Sequence, residues 1–553
     1  MRRIVLIEVS VLAAFAGAAS PALAQQNGAD RADPSVAEQE LREERAVPTT
    51  SAEPILRPAE GLRTGSAVTE PILAGAILVE GAEALPQAAF APVVERYLGR
   101  TLSVEELRTL AADIAAVARD AGYGLATAWI PEQRLQNGLL RVRIEEGRID
   151  AVEVNGDGRD AVEPRLTPLA DGRPVRTAAL ERQLLLAGDV AGIRMGKAKL
   201  ERRGGRNVLV VNATRDRFSG RGGVDNWGSS TSGPVRARVA IDFNRLLRPD
   251  DSLTLEALTT PFEPKEFGLI AARYTAALGY SGTEFSVGGY LARSEAGGFL
   301  ADRDLDGRSS EIEAELRHPL KRSRAGSLWA SLDARIRDSE QTREDLLVRD
   351  DRLALVSASA FAYRRLGAGR LRARVSLVQG LDLFGASDAG DPLSSRSDAD
   401  GRFSKLELWA ELDQRLAPQL SLVIQSEGQV ANGPLLSSEE MGLGGRRFGR
   451  AWDYREFSGD RGIAGSVELR KDFPKPVKGV ANAQVYAYAD AGAVDNYRLG
   501  FGGGSLASAG GGVRLRFPPG VWTSLELGVP LTDGYDPSRH RDPRLSFTID
   551  FRF

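Results

Sequence analysis

Apolar residues along this chain of 553 residues follow two different periods. From 71 to 213, stretches with the 3.6-residue period of helices alternate with short apolar runs that are typical of strands. From 214 to 553 the helical period is absent, and apolar and polar residues alternate one by one. The pattern therefore predicts a leader, an α+β part and a long all-β part.

The α+β part is expected to form two tandem domains, at 71–148 and 149–213. Ser103 is the predicted N-cap of the clearest helix, and Glu106 completes a capping box with it. The apolar stripe of this helix is Leu107, Leu110, Ala111, Ile114, Val117 and Ala118. Around it we predict a short helix at 92–98 and strands at 76–79, 125–130 and 139–144. The second domain has predicted strands at 151–154 and 207–212 and a helix at 177–187.

In the all-β part, full charges occupy every second position of several strands. One example is the stretch in which apolar and polar residues alternate as Leu328, Ala330, Leu332, Ala334 and Ile336 against Ser331, Asp333, Arg335 and Arg337. Such strands need one apolar and one wet face. A closed barrel in a bilayer supplies both and satisfies every backbone group. About 340 residues at roughly 20 per strand predict on the order of 16 antiparallel strands in 214–553. The alternative is a soluble all-β protein with one solvated face.

The leader has the pattern of a signal peptide at 1–24. Arg2 and Arg3 give it a positive start, an apolar run follows, and Ala22-Leu23-Ala24 is the expected cleavage site. Residues 25–70 lack a buried-face pattern, which indicates a mobile linker. Within it, Pro34 to Arg45 predicts one short helix, because proline suits a first helical turn. A helix this short is stable only when it packs against other parts of the protein. The segment is therefore a solvated tail if it does not pack, or a plug in the barrel lumen if it packs there.

Composition removes several classes of function. The net charge of −3 at pH 7 offers no basic excess for nucleic acid, and the absence of cysteine excludes disulfides and thiolate sites. The two histidines, His318 and His540, are far apart in sequence, and the glycine-rich stretch at 500–504 lacks the Lys-Ser/Thr of a phosphate loop. We therefore expect no enzymatic activity, no catalytic residues, no metal, no cofactor and no nucleic-acid partner.

The chain ends on an amphipathic strand. Its apolar positions are Leu545, Phe547, Ile549, Phe551 and Phe553, which alternate with polar residues. This pattern predicts the closing strand of a barrel, apolar outward and ending in the aromatic girdle at the membrane interface. It also resembles what outer-membrane barrels present to their assembly machinery.

Residues 97–149 carry spaced motifs that resemble a known domain. They are Gly122-Tyr123, Pro131-Glu132-Gln133 and Glu146-Gly147. Together they are similar to the first polypeptide-transport-associated (POTRA) domain of two-partner secretion transporters, the haemolysin-activator and filamentous-haemagglutinin exporter family of the Omp85 superfamily. The resemblance implies two POTRA domains before the barrel.

The barrel part continues this resemblance. Residues 220–228 are similar to the family's opening strand, and 444–453 are similar to its sixth loop, which folds into the lumen. The residues of the loop motif are Gly449, Arg450, Ala451, Trp452, Ser458, Gly459 and Asp460. The resemblance implies that Arg450 pairs with Asp490 on the inner wall and locks the loop. A shielded arginine–carboxylate pair can be bidentate, whereas an exposed one contributes little. The family usually has glycine where Ala451 stands, and a positive φ there would strain alanine.

The resemblance implies a pore in the outer membrane, with the N-terminal domains in the periplasm. Its expected partners are a secreted exoprotein that is unfolded in the periplasm, outer-membrane lipid and the barrel-assembly machinery. The function it implies is recognition and export of that exoprotein. The alternative is a barrel-assembly factor of the same superfamily, and a passive porin is a third option that the N-terminal domains argue against.

Overall fold

The structure is a computed structural model that describes residues 33–35, 65–133, 138–498, 503–534 and 541–553. The expected signal peptide at 1–24 lies outside the described residues, as do His540 and most of the segment 25–70. Among the described residues, no helix combines the length and the hydropathy that crossing a bilayer requires. Two small α+β units lead into one closed sheet.

The first unit combines short strands with one long helix. Its strands are Gly65–Ser66 (β1), Ile72–Ala74 (β2), Ala76–Glu80 (β3), Arg100–Leu102 (β4), Thr127–Ile130 (β5) and Leu139–Glu145 (β6). Its helices are a 3-10 turn at Gln87–Phe90, Ala91–Val94 (α1) and Val104–Asp120 (α2). The sheet order is β1-β5-β6-β3, with β2 and β4 paired separately. The predicted capping box is confirmed, since Ser103 accepts from the Glu106 amide and Glu106 accepts from the Ser103 amide. The helix predicted at 92–98 is shorter than expected.

The second unit is built on one central strand. Its elements are Ala151–Asn155 (β7), Arg159–Leu166 (α3), a 3-10 turn at Thr167–Leu169, Thr177–Gly188 (α4), Ile193–Met195 (β8), Lys199–Arg203 (β9) and Arg206–Arg215 (β10). β10 pairs in parallel with β7 and antiparallel with β8 and β9. The sequence did not predict α3, β8 and β9. Such short elements carry too few periodic positions, and α3 also contains Pro164.

The rest of the chain forms a closed antiparallel barrel. Its strands are Phe218–Asp225 (β11), Arg236–Asn244 (β12), Asp251–Thr259 (β13), Gly268–Ala277 (β14), Glu284–Glu295 (β15), Leu305–Lys321 (β16), Gly326–Arg343 (β17), Leu346–Leu366 (β18), Gly369–Leu381 (β19), Ser404–Ala417 (β20), Leu420–Ala431 (β21), Arg461–Pro474 (β24), Asn482–Asp495 (β25), Gly504–Phe517 (β26), Val521–Pro530 (β27) and Arg544–Arg552 (β28). Met441–Leu443 (β22) and Phe457–Gly459 (β23) form a separate hairpin, and 3-10 turns lie at Gly298–Arg303 and Ser437–Glu439. The expectation of a barrel with about 16 strands is confirmed.

The two faces of the barrel follow the alternation in the sequence. On β17, Leu332 and Ile336 are exposed on the outer surface, whereas Arg337 and Ser339 are buried on the inner wall. The inner wall is lined by charges of both signs that pair across strands, as Arg337 does with Glu311 (Nη2–Oε2, 2.8 Å). The outer surface is therefore suited to hydrocarbon and the lumen to water.

The last strand closes the barrel against the first. β28 pairs antiparallel with β11 over five residue pairs, from Arg221↔Arg552 to Asp225↔Thr548. Phe551 and Phe553 stack with ring centroids 6.3 Å apart. A Cβ built on Gly220 would lie 2.1 Å from the Phe553 ring, so glycine at this position leaves the space that the terminal aromatic residue occupies.

The second α+β unit is docked on one rim of the barrel, which we call the domain-side rim. Arg165 of α3 donates to Asp250 (2.9 Å) in the turn before β13. Arg322, in the turn after β16, makes a bidentate contact with Asp189 at the end of α4, at 2.7 Å for both bonds. Arg165 and Arg322 are almost fully buried, so these pairs are shielded and hold the unit to the rim.

Candidate functional site

A loop between β21 and β24 folds back into the lumen of the barrel. Its two arms form the β22–β23 hairpin, with register from Met441↔Gly459 to Leu443↔Phe457. The apolar side chains of the loop pack on an apolar strip of the inner wall, and the buried cluster is Met441, Leu443, Phe448, Ala451, Trp452, Phe457, Ala464, Val494 and Leu506. This hydrophobic contact holds the loop, at 432–460, against the inner wall, and Leu435 and Leu436 of the same loop pack in a second apolar cluster that includes Leu353, Leu355 and Val378 of β18 and β19.

The tip of the loop is a tight turn shaped by glycine. Gly449 has φ +73°, and the Trp452 amide donates to its carbonyl at 2.9 Å. Ala451 does not adopt a positive φ. The alanine at 451 therefore carries no steric penalty, because Gly449 takes the left-handed conformation.

Arg450 and Asp490 meet at this tip, as the family resemblance implied. Arg450 Nε lies 3.4 Å from Asp490 Oδ2, and both residues are buried. The carboxylate of Asp490 accepts the Gly449 amide at 2.9 Å and also the hydroxyl of Ser508. Asp490 thus binds the backbone of the loop tip as well as its arginine.

The contact between these two side chains is not bidentate, because only Nε of Arg450 faces Asp490. Arg450 Nη1 points instead at two glutamates on other strands, Glu468 Oε2 at 2.9 Å and Glu526 Oε2 at 3.3 Å. Arg450 therefore sits in a cage of three carboxylates from β24, β25 and β27. One arginine ties the loop to three strands of the wall at once, the adjacent β24 and β25 and, beyond β26, β27. A single pair could not do this.

Two tyrosines complete the cage. The Arg450 guanidinium lies 3.9 Å from the ring centroid of Tyr488, and Tyr486 donates to Glu526 Oε2 at 2.6 Å. A Cβ on Gly510 would lie 2.8 Å from the Tyr488 ring, so the glycine makes room for the tyrosine. The aromatic face adds a cation–π contact in a shielded position, where such contacts are strongest.

A second anchor lies nearer the far rim, and its centre is Asp460. This fully buried carboxylate accepts the Leu435 amide and Arg396 Nη1, each at 2.7 Å, and the Tyr497 amide at 2.8 Å. Arg396 belongs to the 382–403 loop between β19 and β20, and it also donates to Glu440 at 2.9 Å. Burial alone would lower the pKa of Arg396, but Glu440 and Asp460 outweigh it and raise that pKa. The guanidinium therefore joins two loops as a permanent cation.

The remaining motif residues lie beside these anchors. Ser458 donates to Glu440 at 2.6 Å, and Gly459 leaves no room for a side chain against β25. The carbonyl of Trp452 accepts Arg544 Nη1 at 2.6 Å. Since Arg544 opens β28, this contact links the loop to the closing strand.

A short piece of the leader also lies in the lumen. Pro34 and Ser35 have helical backbone, and Asp33 precedes them as an N-cap whose Oδ1 accepts the Ser35 amide at 2.8 Å. Ser339 on the inner wall donates to both oxygens of Asp33, at 2.9 and 3.0 Å. All three leader residues are buried, and 36–45 lie outside the described residues.

Sequence reasoning missed Glu468, Glu526 and Arg396. Each is one charge among many on the alternating inner positions, so nothing local distinguishes it from an ordinary lumen residue. The sequence signal that could have found the two glutamates is the expected burial of Arg450. A buried arginine needs more than one carboxylate oxygen to satisfy its five donors, which predicts further acids on neighbouring strands.

Comparisons with known proteins agree with this geometry. Residues 204–515 match the family model "Haemolysin secretion/activation protein ShlB/FhaC/HecB", and residues 75–147 match "POTRA domain, ShlB-type". The heme/hemopexin transporter protein HuxB of Haemophilus influenzae (strain 86-028NP) is 26% identical over 244 residues, 42% of each chain. The outer membrane transporter CdiB of Dickeya dadantii (strain 3937) is 23% identical over 433 residues, 73% of this chain and 72% of that one.

Among solved structures, CdiB from Escherichia coli superposes with a TM-score of 0.70 at 19% identity, covering 97% of this chain and 100% of that chain. At this identity the likeness shows the fold. The first relative named above is matched over less than half of its length.

Proposed function

The chain belongs to the haemolysin secretion/activation protein family ShlB/FhaC/HecB, and from this premise we propose that it exports a partner polypeptide through its barrel. It is an outer-membrane protein with its N-terminal domains in the periplasm. The domain-side rim therefore faces the periplasm and the far rim faces the outside. The observation that carries the proposal is the polar lumen of the barrel. Two segments that do not belong to the wall lie inside it, the loop at 432–460 and residues 33–35.

The lumen wall suits an extended polypeptide in transit. A cavity of about 770 Å³ inside the barrel is lined by alternating acids and bases, among them Arg273, Glu315 and Arg335. Arg273 and Glu315 pair across the wall at 3.4 Å. Because paired charges attract neither sign strongly and offer no large apolar surface, a chain of mixed composition can slide past them.

The periplasmic units offer surfaces on which a partner can first be held. Within the described residues, β3 pairs only with β6, and β7 pairs only with β10. Each unit thus leaves one sheet edge open. An extended segment can add to such an edge as a further strand, with backbone hydrogen bonds giving affinity that is tolerant of sequence.

The leader residues in the lumen support a closed resting state. The helix expected from Pro34 to Arg45 would fill the channel from the point where Asp33 is held by Ser339. Export then requires this plug to leave, and the linker up to residue 65 is long enough to let it reach the periplasm.

Breaking the Asp33–Ser339 contact is expected to open the pore. Asp33→Ala removes both the N-cap and the wall contact, so single-channel conductance in planar bilayers should rise severalfold, at a cost to the plug of about 1–3 kcal/mol. Ser339→Ala should produce a similar rise, and the double variant should add little to it. Ser331→Ala, on the same inner face of β17, is the matched control. Unchanged conductance in Asp33→Ala would refute the plug.

Export itself is tested with a candidate partner, which is any large secreted protein whose gene lies next to the gene of this chain. We expect that protein to appear outside the cell only when this chain is present, and deletion of residues 71–213 to abolish its appearance while the barrel still inserts. Calorimetry of residues 71–213 with the unfolded partner measures the capture step. Retention of export without these domains would contradict the proposed capture.

One observation favours a second function, the insertion of other barrels into the membrane. The closing seam between β11 and β28 has five residue pairs, fewer than any other neighbouring pair of barrel strands among the described residues. A short seam can open sideways to a nascent strand. A disulfide across the seam should block insertion of other barrels and leave export through the lumen intact, which separates the two functions.

A further inference from the structure

Two arginines stand side by side on the lipid-facing surface without an ion-pair or hydrogen-bond partner in the part of the chain that the structure describes. Arg293 on β15 and Arg308 on β16 are exposed, and they are directly opposite each other in the strand register. Neither forms an ion pair or a hydrogen bond with any other residue that the structure describes. Like charges directly opposite on a sheet repel and destabilise it. An anion held between the two guanidinium groups would remove that repulsion.

The position of this pair places it in the outer leaflet. β15 starts beside the turn at 278–283, which Arg182 of the second periplasmic unit contacts through the Ser281 carbonyl (3.4 Å). The strand then crosses the wall and ends at Glu295, two residues after Arg293. The outward residues before Arg293 are apolar, with Leu291 next to it. The arginines thus stand where the hydrocarbon band ends on the extracellular side.

An apolar row leads up to the arginines. Val239, Ala257, Ile270 and Leu291 are consecutive neighbours across β12 to β15. In the row above, Gly268 has no side chain and leaves a notch between Thr259 and Arg293. Both rows line a groove of about 970 Å³ whose far side is formed by Ser310, Asp338 and Glu340.

We propose that this groove binds a phosphorylated glycolipid of the outer leaflet. Its phosphate lies between Arg293 and Arg308, because the guanidinium fork matches phosphate oxygens bidentately. Its acyl chain lies along the row from Val239 to Leu291. The hydroxyls of Thr259 and Ser310 and the carboxylate of Asp338 line the groove where the sugar hydroxyls would bind. The proposal rests on the outer-membrane location and is independent of export.

The neighbouring acids set the balance of charge. Arg352 pairs with Asp338 and with Asp350, each at 3.2 Å, so it compensates one of these two negative charges. Glu340 is directly opposite Arg308 in the register but forms no ion pair with it within the described chain. Glu340 therefore competes with a phosphate for Arg308. Arg293, Arg308 and Arg352 together balance Asp338, Glu340 and Asp350, and Asp306 lies beside Arg308 on the same face. The phosphate is therefore held by direct contact with the two opposed guanidinium groups of Arg293 and Arg308, and not by a net positive charge of the groove.

The test measures binding of bis-phosphorylated lipid A to the purified full-length chain in detergent micelles by native mass spectrometry. The double variant Arg293→Gln/Arg308→Gln should weaken binding by about tenfold or more, since it removes two charge-assisted contacts. Glu340→Gln should strengthen binding severalfold because a competing anion is lost. Arg461→Gln is the matched control: Arg461 is also exposed at the extracellular end of a strand, but it pairs with Asp495 at 3.1 Å. Its binding should stay within about twofold of the unaltered chain.

Three further arms identify the source of the phosphate. Dephosphorylated lipid A should bind about tenfold or more weakly, phosphatidylglycerol should bind less well than lipid A, and millimolar inorganic phosphate should fail to displace the lipid. Heat-modifiable gel mobility verifies that each variant is folded. Equal binding of the dephosphorylated lipid, full displacement by phosphate, or undiminished binding by the double arginine variant would each overturn the proposal.

Discussion

Replacing Arg450 by alanine is expected to abolish export while the barrel still inserts in the membrane. The variant removes the cation that Glu468, Asp490 and Glu526 surround, and although Glu468 keeps its pairs with Arg470 and Arg514, Asp490 and Glu526 lose their ion-pair partner. Removing one partner of a buried charge pair costs about 3–5 kcal/mol, because the other charge stays desolvated. A penalty of that size would shift the docking of the loop by roughly 10²–10³-fold. Export is measured with the secreted partner, and insertion by heat-modifiable gel mobility.

Two further variants make this result specific. Arg450→Lys should be almost as defective, because an ammonium group in the place of Nη1 cannot also contact Asp490 as Nε does, and it offers no planar group to stack on Tyr488. Arg447→Ala is the matched control in the same loop, where a partly exposed pair with Glu427 (2.6 Å) is lost and export should fall little.

A double-mutant cycle then tests whether Arg450 and Asp490 act together. Once Arg450→Ala has detached the tip, Asp490→Ala should add far less than its own effect. Independent, multiplicative losses would mean that the two residues do not hold the loop jointly. The cycle with Glu526 in place of Asp490 should show the same coupling, since Glu526 is one of the three carboxylates that contact Arg450.

Replacing Arg396 by alanine is expected to release the loop at 382–403 from the extracellular mouth. The variant removes the cation shared by Glu440 and Asp460 and leaves two almost fully buried carboxylates close together. Their repulsion should loosen both loops, so limited proteolysis within 382–403 should accelerate by about tenfold or more. Conductance in planar bilayers should rise in parallel.

Arg402 supplies the control for this experiment. It lies in the same loop but is 59% exposed, and its carboxylate contacts, to Asp382 and Asp400, are long at 3.8 Å. Arg402→Ala should leave the proteolysis rate nearly unchanged, because exposed pairs contribute about 0–1 kcal/mol. Equal sensitivity of the two variants would show that Arg396 is not a joint between the loops.

The sequence by itself determined the class of the fold. Alternation of single residues is a local property, so the wet and apolar faces of β17 were predictable from Leu328 to Arg337 alone. The capping box at Ser103 and Glu106 is equally local, since three residues of chain bring the partners together. The alternation from Leu545 to Phe553, which predicted the closing strand, is local in the same way.

The position of the predicted lock also came from sequence, through a family resemblance rather than from spacing. It gave Arg450 and Asp490 but not the other acids that contact the arginine. Asp490 accepts the Gly449 amide and faces Arg450 Nε, whereas Arg450 Nη1 donates to Glu468 and Glu526. The steric strain expected at Ala451 is absent because Gly449, and not Ala451, has the positive φ. A pattern of side chains in the sequence does not report this backbone angle.

Only the tertiary structure decided which charges meet. Glu468, Asp490 and Glu526 lie on β24, β25 and β27, and Arg396 reaches Asp460 across 64 positions of sequence. Arg293 and Arg308 become neighbours through the register of β15 with β16. The period of apolar residues and the capping of helices depend on residues a few positions apart, so both can be predicted from the sequence. Register, closure and the path of a loop through the lumen depend on how distant strands align, and that is set by the packing of the whole barrel.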